Sequence, residues 1–527
     1  MTSLEQSQFL RDARRLLFVI KREHARGWSL RDPVAAFIHG SRNEDFPRSI
    51  SSILATVDAL PLDWREYCAA ATAAVFLGAD ERKRLGVYFT PPILVSHILK
   101  RLIEFGYDPK NQTVIDPAAG GAAFLAPVLG AVLDARGAGT DPREAVALIR
   151  GIEIERRLAE VTRSILASRI AVAYGRAKPS ADDESMAREL VTVTDSLEAP
   201  EAGLMDVVMG NPPYIRIGAA DYIRFQQIWP DAGGDGGYIN LAMVFVLKSL
   251  GFVREGGLLA FVLPGGFVGG PSFSSFRRAI APMVLAIDRI EPRERVFADA
   301  IQDCVVLILR KGGRGETVPS SLSIDIDRPV KEFGLPSIPT NGLPWAIPTK
   351  AKVTHGTHSL RSLGWTGRVG PVVPFRWQSQ MFHAADQPER VTSSAKLIWA
   401  SAIGQDGSFD PTRTSGVAKP DRASVDLKAS FVIRSPCVVV QRTSASNQKR
   451  RICAAAIDIS MVRRYGPMVG DNHVIALFPP DTVKNADQAV NSMAARLNSL
   501  EMSTVYASSC GTASVSVKQL MEMYLPE

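Results

Sequence analysis

The chain has 527 residues, of which 46% are hydrophobic, and this length predicts more than one domain. Its formal net charge is +7. Residues 341–527 hold 21 Lys and Arg against 13 Asp and Glu, a balance of +8, which leaves 40 against 41 in the remainder.

The cysteine pattern and the hydropathy exclude several classes of protein. The five cysteines show no paired spacing, which argues against a disulfide framework or a zinc site and fits a reducing cytoplasm. No basic start followed by an apolar stretch opens the chain, so we expect no signal peptide. The most apolar region, residues 239–270, is interrupted by Lys248, Arg254 and Glu255, and we expect no membrane span there.

The N-terminal region carries apolar side chains at helical spacing. Phe9, Leu10, Ala13, Leu16 and Leu17 follow the pattern that is typical of a helix with one buried face. We therefore expect a helical N-terminal extension over residues 1–80, which is too short for a nuclease domain.

A small-residue turn follows the first strand-like run. This run ends at Asp116, and residues 117–123 are Pro, Ala, Ala, Gly, Gly, Ala and Ala before the next helical pattern. Small residues let the backbone approach a ligand, and N–H groups at a helix start can face it. Two later strand-like runs lead to Glu153 and Asp195. An acid after the second strand is the usual ribose partner in nucleotide-binding α/β folds, and one after the third could accept a hydrogen bond from an adenine amine.

The tetrapeptide Asn211-Pro212-Pro213-Tyr214 follows the strand-like run 205–210. It suits methylation of a planar amine, whose lone pair is delocalised and which needs two acceptors for its N–H hydrogens. Asn211 offers its side-chain oxygen and Pro212 its carbonyl, while both prolines fix φ and remove N–H donors. Tyr214 offers an aromatic face, and stacking stabilises a base by roughly 1–3 kcal/mol. Taken alone, the tetrapeptide also fits an ordinary Pro-Pro turn.

Together and in this order, these segments resemble the N6-adenine DNA methyltransferases of restriction-modification type, gamma class. Residues 86–92 are similar to the family's N-terminal cofactor segment, residues 116–124 to its Asp-Pro-Ala-Cys-Gly-Ser-Gly-x-Phe loop, and residues 211–214 match its catalytic motif. Ala119, Gly121 and Ala122 stand where the loop usually has Cys, Ser and Gly. Alanine suits the last position unless φ is positive there.

The resemblance implies an α/β fold and a division of labour along the chain. Residues 81–325 would form a Rossmann-like S-adenosylmethionine-dependent methyltransferase sheet, and residues 340–527 a mixed α+β target-recognition domain. The implied cofactor is S-adenosyl-L-methionine, without a metal, and the implied substrate is an adenine flipped out of double-stranded DNA.

The resemblance also assigns roles to individual residues. Catalysis would rest on Asn211, Pro212 and Tyr214, with Tyr214 stacking on the target base. Phe297 is a second stacking candidate and is equally compatible with core packing. The residues implied to bind the cofactor are Tyr88, Thr90, Asp116, Ala118, Gly120, Glu153, Asp195, Ser196, Asn211 and Pro213.

A polar and basic loop in the C-terminal region is the candidate for DNA contact. Gln, Asn and Arg read base edges and Lys holds phosphates, so the regional excess of positive charge fits a DNA-binding role. A solvated surface loop is the alternative interpretation. The candidate contact residues are Gln441, Arg442, Asn447, Lys449, Arg450 and Arg451.

Other functions stay open on the sequence alone. Cytosine C5 methylation uses a cysteine after proline, but Pro436-Cys437 opens the apolar run 438–440 and predicts a buried strand cysteine. A methyltransferase for RNA adenine or protein glutamine is one alternative, and a catalytically degenerate DNA-binding scaffold is another. We expect a cytoplasmic monomer of a restriction-modification or related phage-defence system, with or without a separately encoded endonuclease.

Overall fold

The computed structural model describes residues 3–41, 46–78, 80–82, 88–137, 139–200, 205–218, 221–231, 239–291, 304–313, 320–325, 331–334, 338–342, 345, 358–413, 419–443, 450–509 and 515–526. The chain divides into two compact units. Unit 1 contains residues 1–267 and 272–343, and unit 2 contains residues 268–271 and 344–527. Across the described ranges, every helix is too short or too polar to cross a membrane.

Unit 1 begins with helices that bury their apolar faces, as the spacing predicts. Leu10, Ala13, Leu16 and Leu17 all lie in the core of this unit. A hydrogen bond from the Ala35 N–H to the Asp32 side chain starts the second helix. These helices are α1 (Ser3–His24), α2 (Pro33–Phe37), α3 (Arg48–Asp58) and α4 (Leu62–Phe76).

The rest of unit 1 alternates helices with strands. The further helices are α5 (Pro92–Glu104), α6 (Leu125–Arg136), α7 (Pro142–Val146), α8 (Arg156–Ala173), α9 (Ala181–Leu190), α10 (Tyr222–Phe225), α11 (Leu241–Ser249) and α12 (Ser274–Ile280). The strands are β1 (Val114–Asp116), β2 (Ile149–Glu153), β3 (Val191–Val193), β4 (Met205–Gly210), β5 (Arg216–Ile217), β6 (Ile239–Asn240), β7 (Val253–Pro264), β8 (Val284–Glu291), β9 (Cys304–Arg310), β10 (Ser320–Asp325) and β11 (Lys331–Gly334).

Nine of the described strands form the central sheet, in the order β11-β10-β8-β9-β7-β4-β1-β2-β3. Strands β3, β2, β1, β4 and β7 are parallel neighbours, whereas β9 runs antiparallel between β7 and β8. The predicted α/β fold with a mostly parallel sheet is therefore confirmed. The chain order reverses between β1 and β4, and such a switch point opens a crevice at the carboxyl ends of the strands.

Unit 2 is mixed α+β, as predicted. Its described strands form two four-stranded sheets, β12-β19-β16-β17 and β13-β15-β14-β18. The strands are β12 (Thr366–Val369), β13 (Met381–Phe382), β14 (Ala395–Ile398), β15 (Arg422–Ala423), β16 (Cys437–Gln441), β17 (Ala454–Ile457), β18 (Met468–Gly470) and β19 (Val474–Phe478), and the helices are α13 (Ile459–Tyr465), α14 (Ala486–Leu497), α15 (Leu500–Ser509) and α16 (Val517–Glu522).

Cys437 is the first residue of β16 and is fully buried. Burial raises the pKa of its thiol to about 12, so the sulfur stays protonated and is a poor nucleophile at neutral pH. The prediction of a buried strand cysteine is confirmed, and cysteine-based cytosine chemistry has no support at this position.

A buried ion network joins the N-terminal helices to the helix that follows β2. The Arg169 Nε of α8 donates to Glu66 Oε1 of α4 at 2.9 Å, and its terminal nitrogen contacts both Glu66 and Asp63. Glu66 is only 4% exposed. A carboxylate left in such a place without its cation would be strongly destabilised, because the interior solvates charge poorly.

We expect Arg169→Met to lower the free energy of unfolding by about 3 kcal/mol, since it leaves Glu66 buried beside Asp63 without a cation. Denaturant titration followed by circular dichroism measures this loss. The control is Arg143→Met, because Arg143 pairs with Asp182 and more than half of each side chain is exposed. That variant should lose less than about 1 kcal/mol, and equal losses in the two variants would contradict this role for the network.

Candidate active site

A cavity of about 360 Å³ opens where the neighbouring strands β1 to β4 end. Asp116 is the last residue of β1 and Glu153 the last of β2, while Asp195 lies two residues after β3 and Asn211 directly after β4. All four line the cavity. The other predicted cofactor residues line it too, namely Tyr88, Thr90, Ala118, Gly120, Ser196 and Pro213. The structure thus brings together every residue of the predicted cofactor set.

Asp116 is the most deeply buried acid of the cavity, at 1% exposure. Its Oδ1 accepts a hydrogen bond from the Ala118 N–H at 2.9 Å, whereas Oδ2 has no partner among the described residues. Burial, together with the nearby charge of Glu153, raises the pKa of this carboxyl to about 8, although the hydrogen bond from the Ala118 N–H opposes the shift. A Cβ on Gly210 would lie 2.6 Å from Asp116 Oδ1, so glycine at the end of β4 leaves room for the carboxyl group.

Glu153 holds the small-residue loop in place. Its Oε2 accepts the Gly120 N–H at 2.8 Å, and its Oε1 accepts the Glu155 N–H at 2.8 Å. Burial raises the pKa of Glu153, and these backbone hydrogen bonds oppose that shift. Each carboxylate oxygen has a second lone pair, so Glu153 can still accept hydrogen bonds from a ligand.

Asn211 is fixed through its amide nitrogen. Its Nδ2 donates to the Tyr88 carbonyl at 3.1 Å, which leaves Oδ1 as a buried acceptor without a partner among the described residues. Thr90 also lines the cavity, and its buried Oγ1 likewise has no partner among the described residues. Buried polar atoms are nearly always hydrogen-bonded in folded proteins. These orphaned oxygens therefore indicate a place for a polar ligand.

Tyr214 does not line the cavity, although it belongs to the same tetrapeptide. Its hydroxyl donates to the Val262 carbonyl of β7 at 2.9 Å and lies 3.7 Å from Cys304 Sγ. Burial raises the pKa of this hydroxyl well above its usual value, so it remains neutral. The ring is half-buried and packed against the core. Pro212 is buried, and Phe297 lies outside the described residues.

The sequence reasoning missed one wall of the cavity. The segment after the tetrapeptide lines it with Ile217, Arg224 and Phe225. The Arg224 guanidinium donates to Asp195 Oδ2 at 2.7 Å and to Glu198 Oε1 at 2.7 Å. These residues belong to no motif of the sequence. They are recognised as part of the cavity wall only because the folded chain places them beside the strand ends.

In the loop that follows β1, the packing around Gly121 accounts for the absence of the usual serine, and Ala122 stands where the family has glycine. A Cβ on Gly121 would lie 2.4 Å from the Cβ of Ala70 and 2.8 Å from the Phe89 ring, so a serine cannot stand there. Ala70 belongs to α4, and the N-terminal helices thus occupy the space of the usual side chain. The φ angle of Ala122 is +60°, in the left-handed region. Alanine is disfavoured there, so this residue does not suit the position as well as the usual glycine.

We expect Ala122→Gly to raise the free energy of unfolding by about 0.5–1 kcal/mol, because the left-handed penalty of alanine exceeds the extra chain entropy of glycine. Thermal denaturation at fixed protein concentration measures the gain. Its neighbour provides the control, since among the described non-glycine residues φ is positive at Ala122 alone. Ala123→Gly should destabilise by about 0.5–1 kcal/mol, and a loss in both variants would show that residue 122 is not strained.

Gln441, one of the predicted DNA contacts of unit 2, is buried. Gln441 is 8% exposed, and its Nε2 donates to the carbonyls of Ala400 at 3.0 Å and Ile403 at 2.7 Å. The structure gives no support to Gln441 as a candidate DNA contact, because its amide is committed to interior carbonyls.

The rest of the predicted loop is only partly described. The Arg442 guanidinium donates to the Asn472 carbonyl at 3.0 Å, and Arg450 donates to the Gln405 carbonyl at 3.1 Å. Arg451 is half-buried, while Asn447 and Lys449 lie outside the described residues. DNA contact by this loop stays a prediction.

Comparison with known proteins supports the sequence motifs. Residues 149–283 match the Eco57I restriction-modification methylase family. The Type II methyltransferase M.BsuBI of Bacillus subtilis is 23% identical over 343 residues, which cover 60% of this chain and 64% of that protein. The Type II methyltransferase M.PaeR7I of Pseudomonas aeruginosa is 28% identical over 289 residues, or 51% of this chain and 48% of that protein. The chain thus spans less than two thirds of both relatives.

Two solved structures share the fold. The Type IIL restriction-modification enzyme MmeI in complex with DNA has a TM-score of 0.54 at 14% identity, covering 90% of this chain and 72% of that one. The DrdV–DNA complex has a TM-score of 0.54 at 12% identity, covering 93% and 63%. The predicted resemblance to restriction-modification methyltransferases is confirmed by the family match over residues 149–283 and by the similarity to the two Type II methyltransferases.

Proposed function

We propose that the protein is a DNA adenine N6-methyltransferase that uses S-adenosyl-L-methionine. The observation that carries the proposal is the position of Asn211-Pro212-Pro213-Tyr214 at the end of β4, beside a cavity lined by the acids that follow β1, β2 and β3. The names of the relatives, Type II methyltransferases, support methyl transfer within a restriction-modification system. A related phage-defence role, with or without a separate endonuclease, belongs to the same proposal.

The cavity fits the proposed cofactor in size and in donor chemistry. Its volume of about 360 Å³ lies in the range of small-molecule sites, roughly 300–1,000 Å³. Asp116 would hold the positively charged methionine end, Glu153 the ribose hydroxyls and Asp195 the adenine amine. The orphaned oxygens of Asp116 and Thr90 would gain partners. When bound, the cofactor supplies a methyl group on a cationic sulfur.

Asn211 and Pro212 would prepare the acceptor nitrogen. The Asn211 Oδ1 and the Pro212 carbonyl accept the two N–H hydrogens of the adenine amine, so its lone pair turns away from the ring and towards the methyl group. Because the Asn211 amide is already held by the Tyr88 carbonyl, this acceptor needs little reorganisation. A strong base is not required, since the nitrogen becomes acidic once it carries the methyl group and its proton passes to water.

An adenine inside a duplex cannot reach this cavity, so it must be flipped out at a cost of a few kcal/mol. Stacking on Tyr214 would offset part of this cost, at roughly 1–3 kcal/mol. The hydrogen bond from its hydroxyl to the Val262 carbonyl fixes the ring before the base arrives. Phe297 remains the second candidate for stacking.

Two alternatives share the same tetrapeptide chemistry, methylation of an RNA adenine or of a protein glutamine. The net positive charge of the chain lies in residues 341–527, most of which belong to unit 2, and this favours a nucleic acid over a protein substrate. The restriction-modification family that residues 149–283 match favours DNA over RNA. Incubating the full chain with radiolabelled cofactor and duplex DNA, RNA or protein distinguishes them. Label in N6-methyladenine of DNA supports the proposal, and label only in RNA or protein overturns it.

We expect Asn211→Ala to lower methyl transfer to DNA at least about 100-fold, in line with the loss of one preorganised polar contact in other enzymes. Cofactor affinity should change less than about threefold, because Asp116, Glu153 and Asp195 would still hold the cofactor while Asn211 acts mainly on the acceptor amine. Transfer is followed by mass spectrometry of nucleosides and affinity by calorimetry. The control Asn491→Ala alters an exposed asparagine on α14 and should leave both values unchanged. Appreciable transfer by Asn211→Ala would contradict the assigned role.

A proton should leave Asp116 when the cofactor binds. The pKa of about 8 keeps the carboxyl protonated at pH 7, and a cationic ligand favours the ionised form. We therefore expect binding at pH 7 to release about one proton and to strengthen as the pH rises towards 8. Calorimetry in buffers of different ionisation enthalpy counts the protons. Asp116→Asn should release close to none, and a wild-type value near zero would rule out this carboxyl as the cation's partner.

A further inference from the structure

The chain segment that contains β12 has no acidic residue. Residues 333–385 contain no Asp or Glu, although acids make up 54 of the 527 residues. The same 53 residues carry Lys350, Lys352, Arg361, Arg368 and Arg376. Arg361 of this segment pairs with Glu522, which lies outside it. A cation of the segment that has no such partner can attract phosphates by releasing counterions.

A turn with several backbone hydrogen bonds lies within this acid-free stretch, shortly after β12. The N–H groups of Arg376 and Trp377 donate to the Val373 carbonyl at 2.9 and 3.1 Å, and those of Gln380 and Met381 donate to the Trp377 carbonyl at 3.0 Å each. Trp377 packs against the core beneath β14. We name residues 375–380 the reading turn.

The side chains of the reading turn point mostly to solvent. Phe375 is 71% exposed, and the Arg376 guanidinium lies 5.3 Å from the centre of its ring. Gln378, Ser379 and Gln380 are exposed as well. Among the described residues no carboxylate pairs with Arg376. An exposed aromatic ring, an unpaired arginine and two glutamines on a fixed backbone are typical of a recognition surface, because little order is lost on binding.

We propose that the reading turn contacts double-stranded DNA, with Arg376 and Gln378 reading base edges and Phe375 packing against the sugar or an unstacked base. Arginine pairs with guanine and glutamine with adenine through two hydrogen bonds each, and apolar side chains wedge into deformed steps. The inference rests on the proposed function, which makes DNA the substrate. The charge pattern favours DNA over a protein partner, whose docking surface would be more apolar and of mixed charge.

The reading turn is a better candidate than the loop at residues 441–451. Gln441 is committed to the carbonyls of Ala400 and Ile403, and Arg442 to that of Asn472. The polar groups of Arg376 and Gln378 need no such rearrangement to meet a base. Sequence motifs could not reveal this, because residues 375–380 match no pattern.

The test uses the full chain in four forms: wild type, Arg376→Ala, Phe375→Ala, and a control that combines Arg15→Ala with Phe18→Ala. Arg15 and Phe18 are an exposed arginine and an exposed aromatic on α1. Binding to duplex DNA containing the methylated site is measured by fluorescence anisotropy against salt. Sequencing of methylated adenines in a host that expresses each form gives the recognition sequence.

We expect Phe375→Ala to weaken binding to the site about tenfold. Arg376→Ala should accept additional bases at one position of the recognition sequence, while the control matches wild type. Wild-type affinity and specificity in both variants would overturn the inference. A uniform loss on all DNA, with a shallower salt dependence, would also overturn base reading, because it marks a phosphate contact.

These outcomes separate the inference from the proposed function. If the wild type binds duplex DNA but methylates no adenine, the proposed function fails. Duplexes selected by binding from a random pool then replace the methylated site, and the same variants still judge the reading turn. If the wild type binds no duplex DNA at any salt concentration, both fail together.

Discussion

The site depends on one buried carboxyl group, of which only one oxygen is hydrogen-bonded among the described residues. Asp116 ends β1 at the switch point of the sheet, with one oxygen held by the Ala118 N–H and the other without a partner among the described residues. Burial keeps this group protonated near neutral pH and makes its charge costly unless a cation arrives. For the same reason, the empty protein should lose stability as the pH rises from about 4 towards 8. The site thus holds a polar group that contributes to binding at the expense of folding.

The loop around this carboxyl is shaped from outside the sheet. Glu153 fixes the loop through the Gly120 N–H, and Ala70 of the N-terminal helices packs where a serine side chain would otherwise stand. The ion network at Arg169 holds those helices against α8. The N-terminal extension is therefore part of the support of the cavity, and the unusual small residues of the loop are matched to it. Ala122 remains as local strain in this loop, because its φ of +60° is unfavourable for a residue with a Cβ.

Unit 2 separates residues that hold its fold from residues that are available to a partner. Gln441 resembles a base-reading residue in sequence, yet its amide satisfies two interior carbonyls. The reading turn has the reverse character, since hydrogen bonds from the N–H groups of Arg376, Trp377 and Gln380 shape its backbone while the side chains of Phe375 and Arg376 are exposed. Gln378 of the reading turn has the same side chain as Gln441 but is exposed, so burial decides which of the two is free to bind.

The sequence by itself determined the helical spacing of the N-terminal region and the alternating strands and helices, and the resemblance that its motifs carry named ten of the residues that line the cavity. These features are local or follow from strand order, since carboxyl ends of neighbouring parallel strands must meet at one edge. The tertiary structure decided the sign of φ at Ala122, the wall formed by Arg224 and Phe225, and the burial of Gln441. Each of these features depends on which distant segment packs against the residue. The residues next to it in sequence do not show which segment that will be.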